Sequence, residues 1–264
     1  PSRGTAARAS SLGTLAGIRH AKLTNPEFVA LVADLHPAGL EGDAAVNLRE
    51  VKRDQDRATC IPTELVVELF KTESLAHDAW VEAREKGEFD LFKPWLEKLL
   101  SMKKEIAECV GYEGSPYNAL LDEFEPYADV EILDSVLGEL RDRLIPLASA
   151  ILEAGNRQEA LLEAAFPIAG QETFGRQVME DLGFDLRAGR LDISVHPFCC
   201  GSGPDDVRLT TRYSETQAFS SLYGIIHETG HGLYEQGLPV DLQGTPVCQA
   251  VSLGIHESQS RLWE

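Results

Sequence analysis

Along most of this chain apolar residues recur three and four positions apart, and only between Gly189 and Tyr213 does the period fall to two. A 3.6-residue period lines one face of a helix, and a two-residue period lines one face of a strand. The pattern therefore confines the chain to packed helices around one small β element. Asn25-Pro26-Glu27 supplies a helix start, with a capping amide ahead of proline at the first helical position. A second helix opens at Pro62-Thr63-Glu64, carries Leu65, Leu69, Leu75, Ala79 and Trp80, and stops at Gly87. The next presents Leu91, Trp95, Leu99, Ile106 and Val110 at helical spacing. Asp129 to Gly155 reads as a long helix in which Pro146 predicts a kink or a break. "GQETFGRQVMEDLGF" and the stretch from Glu215 to Gln236 are further helices, the latter stopped by Gly237 and Pro239.

In the exceptional stretch, Leu191, Ile193 and Val195 alternate with polar residues, and so do Val207, Leu209 and Thr211. The expectation is a small antiparallel pair of strands, joined through a Cys-Gly-Ser-Gly-Pro loop. Helical pattern resumes after Val247 and is still running at Glu264, and the chain opens at Pro1 rather than at a methionine. Both ends predict a piece of a longer protein.

Bulk properties narrow the class. A net charge of −19 opposes any phosphate backbone, so nucleic acid is excluded as a partner. No apolar run approaches the roughly 20 residues that span a bilayer, and no secretory leader opens the chain, so no membrane role is expected. Five cysteines, Cys60, Cys109, Cys199, Cys200 and Cys248, form no CxxC pair. They predict a reducing cytoplasmic setting and no cysteine-rich zinc site, and the adjacent Cys199 and Cys200 read as small packed side chains that do not bridge each other.

The chemistry concentrates in "GIIHETGHGLYEQG". Four residues turn a helix by about 400°, so His227 and His231 share one face. Their ring nitrogens can then reach one ion at roughly 2.0–2.1 Å. Glu228 stands beside that ion without ligating it, where a carboxylate can take a proton from activated water. His-Glu-x-x-His is thus a mechanism as well as a pattern. Phe219, Leu222, Ile225, Ile226 and Leu233 give the helix an apolar body, and Gly230 and Gly232 predict room for a substrate backbone beside His231. A metzincin would need glycine at position 234 and histidine at 237, but Tyr234 and Gly237 stand there. The remaining candidates for a third ligand are Glu257, carried by a downstream helix, with Glu235 and His256 as competitors.

The ordered set "HPF" at His196–Phe198, "DVRLT" at Asp206–Thr210, "HETGH" at His227–His231 and "HESQ" at His256–Gln259 resembles the thermostable metallocarboxypeptidases typified by carboxypeptidase Taq. "FDLRAGRLDISV" and "YNALLDEFEP" resemble that family too, so the likeness covers nearly the whole chain. The resemblance implies a mainly α fold: a helical metallopeptidase domain over residues 1–264, truncated at both ends. Residues 1–188 would form a helical region and residues 189–264 a metal-site region, with the β element of about residues 189–213 beside the metal-binding helix. It implies a zinc- or cobalt-dependent homodimer that removes single residues from the C-termini of peptides. Residue by residue, it makes His227, His231 and Glu257 the metal ligands and Glu228 the general base. His196, Arg208 and His256 become the residues that meet substrate. Two plainer readings stand beside these roles: His196-Pro197-Phe198 as a strand end held by a rigid proline, and Asp206 with Arg208 as a salt bridge aligning two strands.

One departure matters. Family members carry a further Ile/Tyr-Arg-x-x-Ala-Asp motif, whose arginine is the expected clamp for the substrate carboxylate, and it is not found in these residues. Arg208 and Arg212 are the only arginines between the His-Pro-Phe and His-Glu-x-x-His motifs, and neither is expected to replace it. Other readings are an aminopeptidase or endopeptidase on the same ligands, and a catalytically silent fragment that binds metal or peptides. No acidic Gly-x-Met-Glu-Asn-type anchor for a substrate amine precedes the motif, which tells against an aminopeptidase.

Overall fold

A computed structural model describes residues 4–35, 39–155 and 164–264. The chain divides into two compact units: Pro1–Glu123 with Tyr127–Val130, and Phe124–Pro126 with Glu131–Glu264.

The first unit is helical: α1 (Thr5–Leu23), α2 (Pro26–Leu35), α3 (Gly42–Cys60), α4 (Thr63–Lys86), α5 (Lys93–Val110) and the short α6 (Pro116–Leu121). The expected start of α2 is present, with Asn25 Oδ1 accepting from the backbone of Glu27 at 2.9 Å. Gly87 ends α4 in the left-handed region at φ 69°, which is open to glycine at little cost. Leu65 and Leu69 of α4 meet Met102 and Ile106 of α5 in the core of this unit. Buried His20 is satisfied on both ring nitrogens, by Ala58 O at 2.9 Å and Thr63 Oγ1 at 3.0 Å.

The second unit holds α7 (Val130–Glu153), α8 (Ile168–Leu182), β1 (Gly189–Ile193), β2 (Phe198–Gly203), β3 (Asp206–Thr211), α9 (Ala218–Gln236) and α10 (Leu253–Trp263). The mainly α architecture agrees with the sequence, but neither a break at Pro146 nor an antiparallel strand pair standing alone is present. Helix α7 runs through Pro146 without a break. Proline there gives no N–H to the carbonyl of residue 142, but the whole segment is exposed, so solvent can take up that acceptor.

The second correction concerns the sheet, which has three strands in the order β1-β3-β2 rather than an antiparallel pair. β1 runs parallel to β3, with Gly189 opposite Val207 and Ile193 opposite Thr211. β2 pairs antiparallel with β3, with Phe198 opposite Thr210 and Cys199 opposite Leu209. The presumed Cys-Gly-Ser-Gly loop is itself a strand. It reverses the chain once after β1 and once before β3, so β1 and β3 end up pointing the same way. Its sequence lacks apolar alternation because it lies at the sheet edge with most residues exposed.

Met179, Phe184, Leu191, Val207, Leu209 and Ile225 form the core of this unit, where α8, the sheet and α9 meet. That core fixes α9 in place, and α9 carries both histidines of the motif. Among the described residues no helix is long and apolar enough to cross a membrane, and all five cysteines are free.

Candidate metal centre

Two helices build the site. α9 supplies His227, Glu228 and His231, and α10 supplies His256 and Glu257. α10 starts at Ser252, whose hydroxyl accepts from Ile255 N at 3.2 Å. Its first free amides are taken up by Phe124 O on Leu253 N and Glu125 Oε2 on Gly254 N, at 2.9 and 2.8 Å.

The approach of the two helices depends on Gly230. A Cβ at that position would lie 2.6 Å from Ser260 Cα and 2.7 Å from Gln259 O. Ser260 is fully buried, with its hydroxyl turned back to Glu257 O at 2.7 Å. Gly232 similarly abuts the Phe184 ring and Leu209. Neither glycine makes room for a substrate backbone, as the sequence suggested. They allow α9 to press against α10 on one side and against the core on the other.

That contact brings Glu257 opposite the histidines. Glu257 Oε2 lies 3.3 Å from His231 Nε2 and 3.8 Å from His227 Nε2. One ligand atom from each of His227, His231 and Glu257 falls within 4.8 Å of the others, the one such group found among the described residues. The two competitors for the third position pair with each other instead, with His256 Nε2 2.9 Å from Glu235 Oε1. His256 also stacks on His231, ring centroids 4.4 Å apart and 21° between planes, and meets Tyr234 edge-on.

Electrostatics distinguish the members. Glu228 is only 5% exposed, and its Oε2 has no hydrogen-bond partner. Burial raises its pKa above the ordinary glutamate value, opposed by the charges of His227 and His196. His231 is shifted down, first by burial and then by its neighbours His256 and His227, which favours the neutral ring. A buried, unpartnered carboxylate oxygen calls for a counter-group, and two imidazoles with a second carboxylate form a donor set suited to a divalent ion such as zinc. The residues present therefore fit a metal. Cys199 does not compete as a nucleophile, because burial pushes its thiol up to about 12.

Of the other sequence candidates, His196 lies close enough for its charge to act on Glu228. His196 is exposed, with Nδ1 2.6 Å from Pro197 O, and Pro197 lies beside Gly224, about one helical turn before His227. Phe198 N donates to Thr210 Oγ1 at 3.0 Å, which anchors the His-Pro-Phe stretch as a strand start. Arg208 is tied to Asp206 by bonds of 2.8 and 3.0 Å. The pair lies within β3, so it does not align two strands, although Ser202 of β2 also donates to Asp206 at 2.8 Å. Val207 and Leu209 face the core, so alternation turns Arg208 to the opposite side of the strand. Two residues escaped the sequence reading. Glu264 Oε1 meets His227 Nδ1 at 2.6 Å, and Arg261 bridges Glu257 and Glu264. Their spacing in "HESQSRLWE", four and seven residues beyond Glu257, was the available signal, since those positions share a helix face.

Comparisons with known proteins place the whole sequence in one family. The family model described as carboxypeptidase Taq (M32) metallopeptidase matches residues 1–264. Thermostable carboxypeptidase 1 of Thermus thermophilus is 40% identical over 278 residues, and carboxypeptidase 1 of Bacillus subtilis is 36% identical over 267. The alignments cover 100% of this chain but 54% and 53% of those proteins, so the chain spans about half their length. Among solved structures, BsuCP superposes with a TM-score of 0.95 at 36% identity, covering 100% of this chain and 54% of that one. The M32 carboxypeptidase from Deinococcus radiodurans gives 0.86 at 37%, covering 100% and 53%.

Proposed function

This chain belongs to the carboxypeptidase Taq (M32) metallopeptidase family, and from that footing we propose that it carries the catalytic centre of a zinc-dependent carboxypeptidase acting on peptides. His227, His231 and Glu257 are the proposed ligands, with cobalt or another divalent ion as an alternative occupant. The observation that carries this reading is the convergence of those three side chains beside the buried, unpartnered carboxylate of Glu228.

When bound, a divalent ion at this position acidifies water and polarises a peptide carbonyl. Glu228 accepts the proton as the water oxygen attacks the carbonyl carbon, and returns it to the departing amine as the C–N bond breaks. Burial raises its pKa, a shift in the direction of the working pH, where a base both accepts and releases a proton more readily. The stack of His256 on His231 limits rotation of one ligand ring. We assign substrate contact to His196, on the strand start beside α9, and to His256. Arg208 is committed to Asp206 and reaches substrate only if that pair opens.

The test is C-terminal ladder sequencing by mass spectrometry on the full-length protein, with and without chelator. One-residue shortening from the C-terminus is expected, lost with chelator and absent for a C-terminally amidated peptide, because a free carboxylate is what paired charged hydrogen bonds recognise. Internal fragments, N-terminal trimming, or chelator-insensitive cleavage would contradict the reading.

A further inference from the structure

Resting on the reading of His227, His231 and Glu257 as ligands, we propose that Arg261 and Glu264 are positioning residues that aim two of those ligands before any ion arrives. Positions 257, 261 and 264 lie on one stripe of α10 and its C-terminal end, and their side chains close a ring with α9. Arg261 Nε donates to Glu257 Oε1 at 3.0 Å and Arg261 Nη1 to Glu264 Oε2 at 2.7 Å. Glu264 Oε1 then meets His227 Nδ1 at 2.6 Å.

Donor accounting assigns the protons. An ionised carboxylate only accepts and a guanidinium only donates. The hydrogen between Glu264 and His227 therefore belongs to Nδ1, and in the neutral ring this leaves the lone pair on Nε2, the nitrogen that faces Glu257. On the other arm, Arg261 occupies Glu257 Oε1 and leaves Oε2 turned to both Nε2 atoms. Arg261 also separates two carboxylates that would otherwise repel across one helix face. His231 has no such carboxylate on Nδ1 and is steadied by the His256 stack, so the two histidines are held by different devices. Arg261 is exposed, and exposed ion pairs contribute little to stability. Loss of the ring should therefore appear in the metal site more than in folding.

Two readouts on the full chain test this. In metal-free protein, well above the imidazole range of about 6.5, long-range proton–nitrogen NMR should show His227 protonated on Nδ1. Glu264→Ala should shift that proton toward Nε2. Glu264→Gln, which keeps an acceptor, should restore the original form. Zinc affinity by chelator competition should fall by about 10–100-fold in Glu264→Ala, the usual loss when a ligand histidine's partner is removed. Arg261→Ala should also weaken zinc while leaving the His227 proton on Nδ1. An unchanged tautomer with zinc affinity within twofold of the parent would overturn the proposal. If Glu264→Ala fails to fold, Arg261→Ala decides the matter alone, and unaltered zinc affinity there overturns it. A parent chain that binds no zinc would instead defeat the ligand assignment, and the tautomer shift would still test the hold of Glu264 on His227.

Discussion

Glu257 faces both histidines, Glu228 follows His227 directly on α9, and their surroundings suit the two carboxylates to different proposed tasks. Glu257 is half exposed and turned toward two imidazoles, whereas Glu228 is buried with an unpartnered oxygen. Glu257→Ala should therefore weaken zinc binding by more than the roughly 10–100-fold expected for removing a group that only supports a ligand. Glu235→Ala should leave it nearly unchanged, and titration calorimetry separates the two. Glu228→Gln should keep the metal and lose at least the ~10²–10⁴-fold rate contribution of a positioned base. The same variant makes a stability prediction with a definite sign. A carboxyl whose pKa is raised on folding binds protons more tightly in the folded state, so its contribution becomes unfavourable as pH climbs through that raised value. Metal-free Glu228→Gln should melt at or above the parent at pH 7, with the gap closing toward the ordinary glutamate range of about 4.3. A gap that grows on acidification would contradict the burial argument. At this scale the motif was legible because its residue types and four-residue step are local. Arg261 and Glu264 were not singled out, because ordinary surface charges on a helix look the same in sequence until a partner helix is placed beside them.

Helices α9 and α10 meet at a glycine, and that contact brings the proposed ligands of two amphipathic segments together. Gly230→Ala should gain the better helix propensity of alanine, about 1 kcal/mol, yet lose more, because its Cβ would press on the backbone of Ser260 and not on a movable side chain. A net destabilisation of ~1–3 kcal/mol is expected, with weaker zinc binding. Gly138, in α7, provides the control: nothing stands within 4 Å of its would-be Cβ, so Gly138→Ala should stabilise by roughly 0.4–1 kcal/mol. Denaturant melts of the two variants check the pair, and equal effects would refute the contact argument. The helices were readable because their apolar stripes are written in their own residues, as with Leu65 and Leu69 or Leu99 and Ile106. Strand pairing was not, because period two reports a face and says nothing of direction. β2 pairs through backbone with Cys199, Cys200 and Gly201, none of which advertises a strand. Gly230 was misread for a related reason: a glycine next to a ligand signals close approach but does not say of what.

At the scale of the molecule, the site lies wholly within the unit that contains residues 131–264, and α7 belongs to the same unit. No residue of α7 is buried, and Val136, Leu140, Leu144, Leu147 and Ile151 form an exposed stripe at steps of three and four. A face of that kind favours association. The isolated chain should show concentration-dependent oligomers by sedimentation velocity, reduced by Leu140→Lys with Leu144→Lys; a monomer at every concentration would refute this. The metal site should be insensitive to those substitutions, because both side chains are exposed and neither belongs to α9 or α10. The account as a whole stands on where an ion sits. Crystals of the chain grown with zinc and measured at the zinc absorption edge should show one strong anomalous peak, about 2.0–2.2 Å from a nitrogen of His227, a nitrogen of His231 and an oxygen of Glu257. Its absence, or a peak held instead by Glu235 and His256, would contradict the central claim.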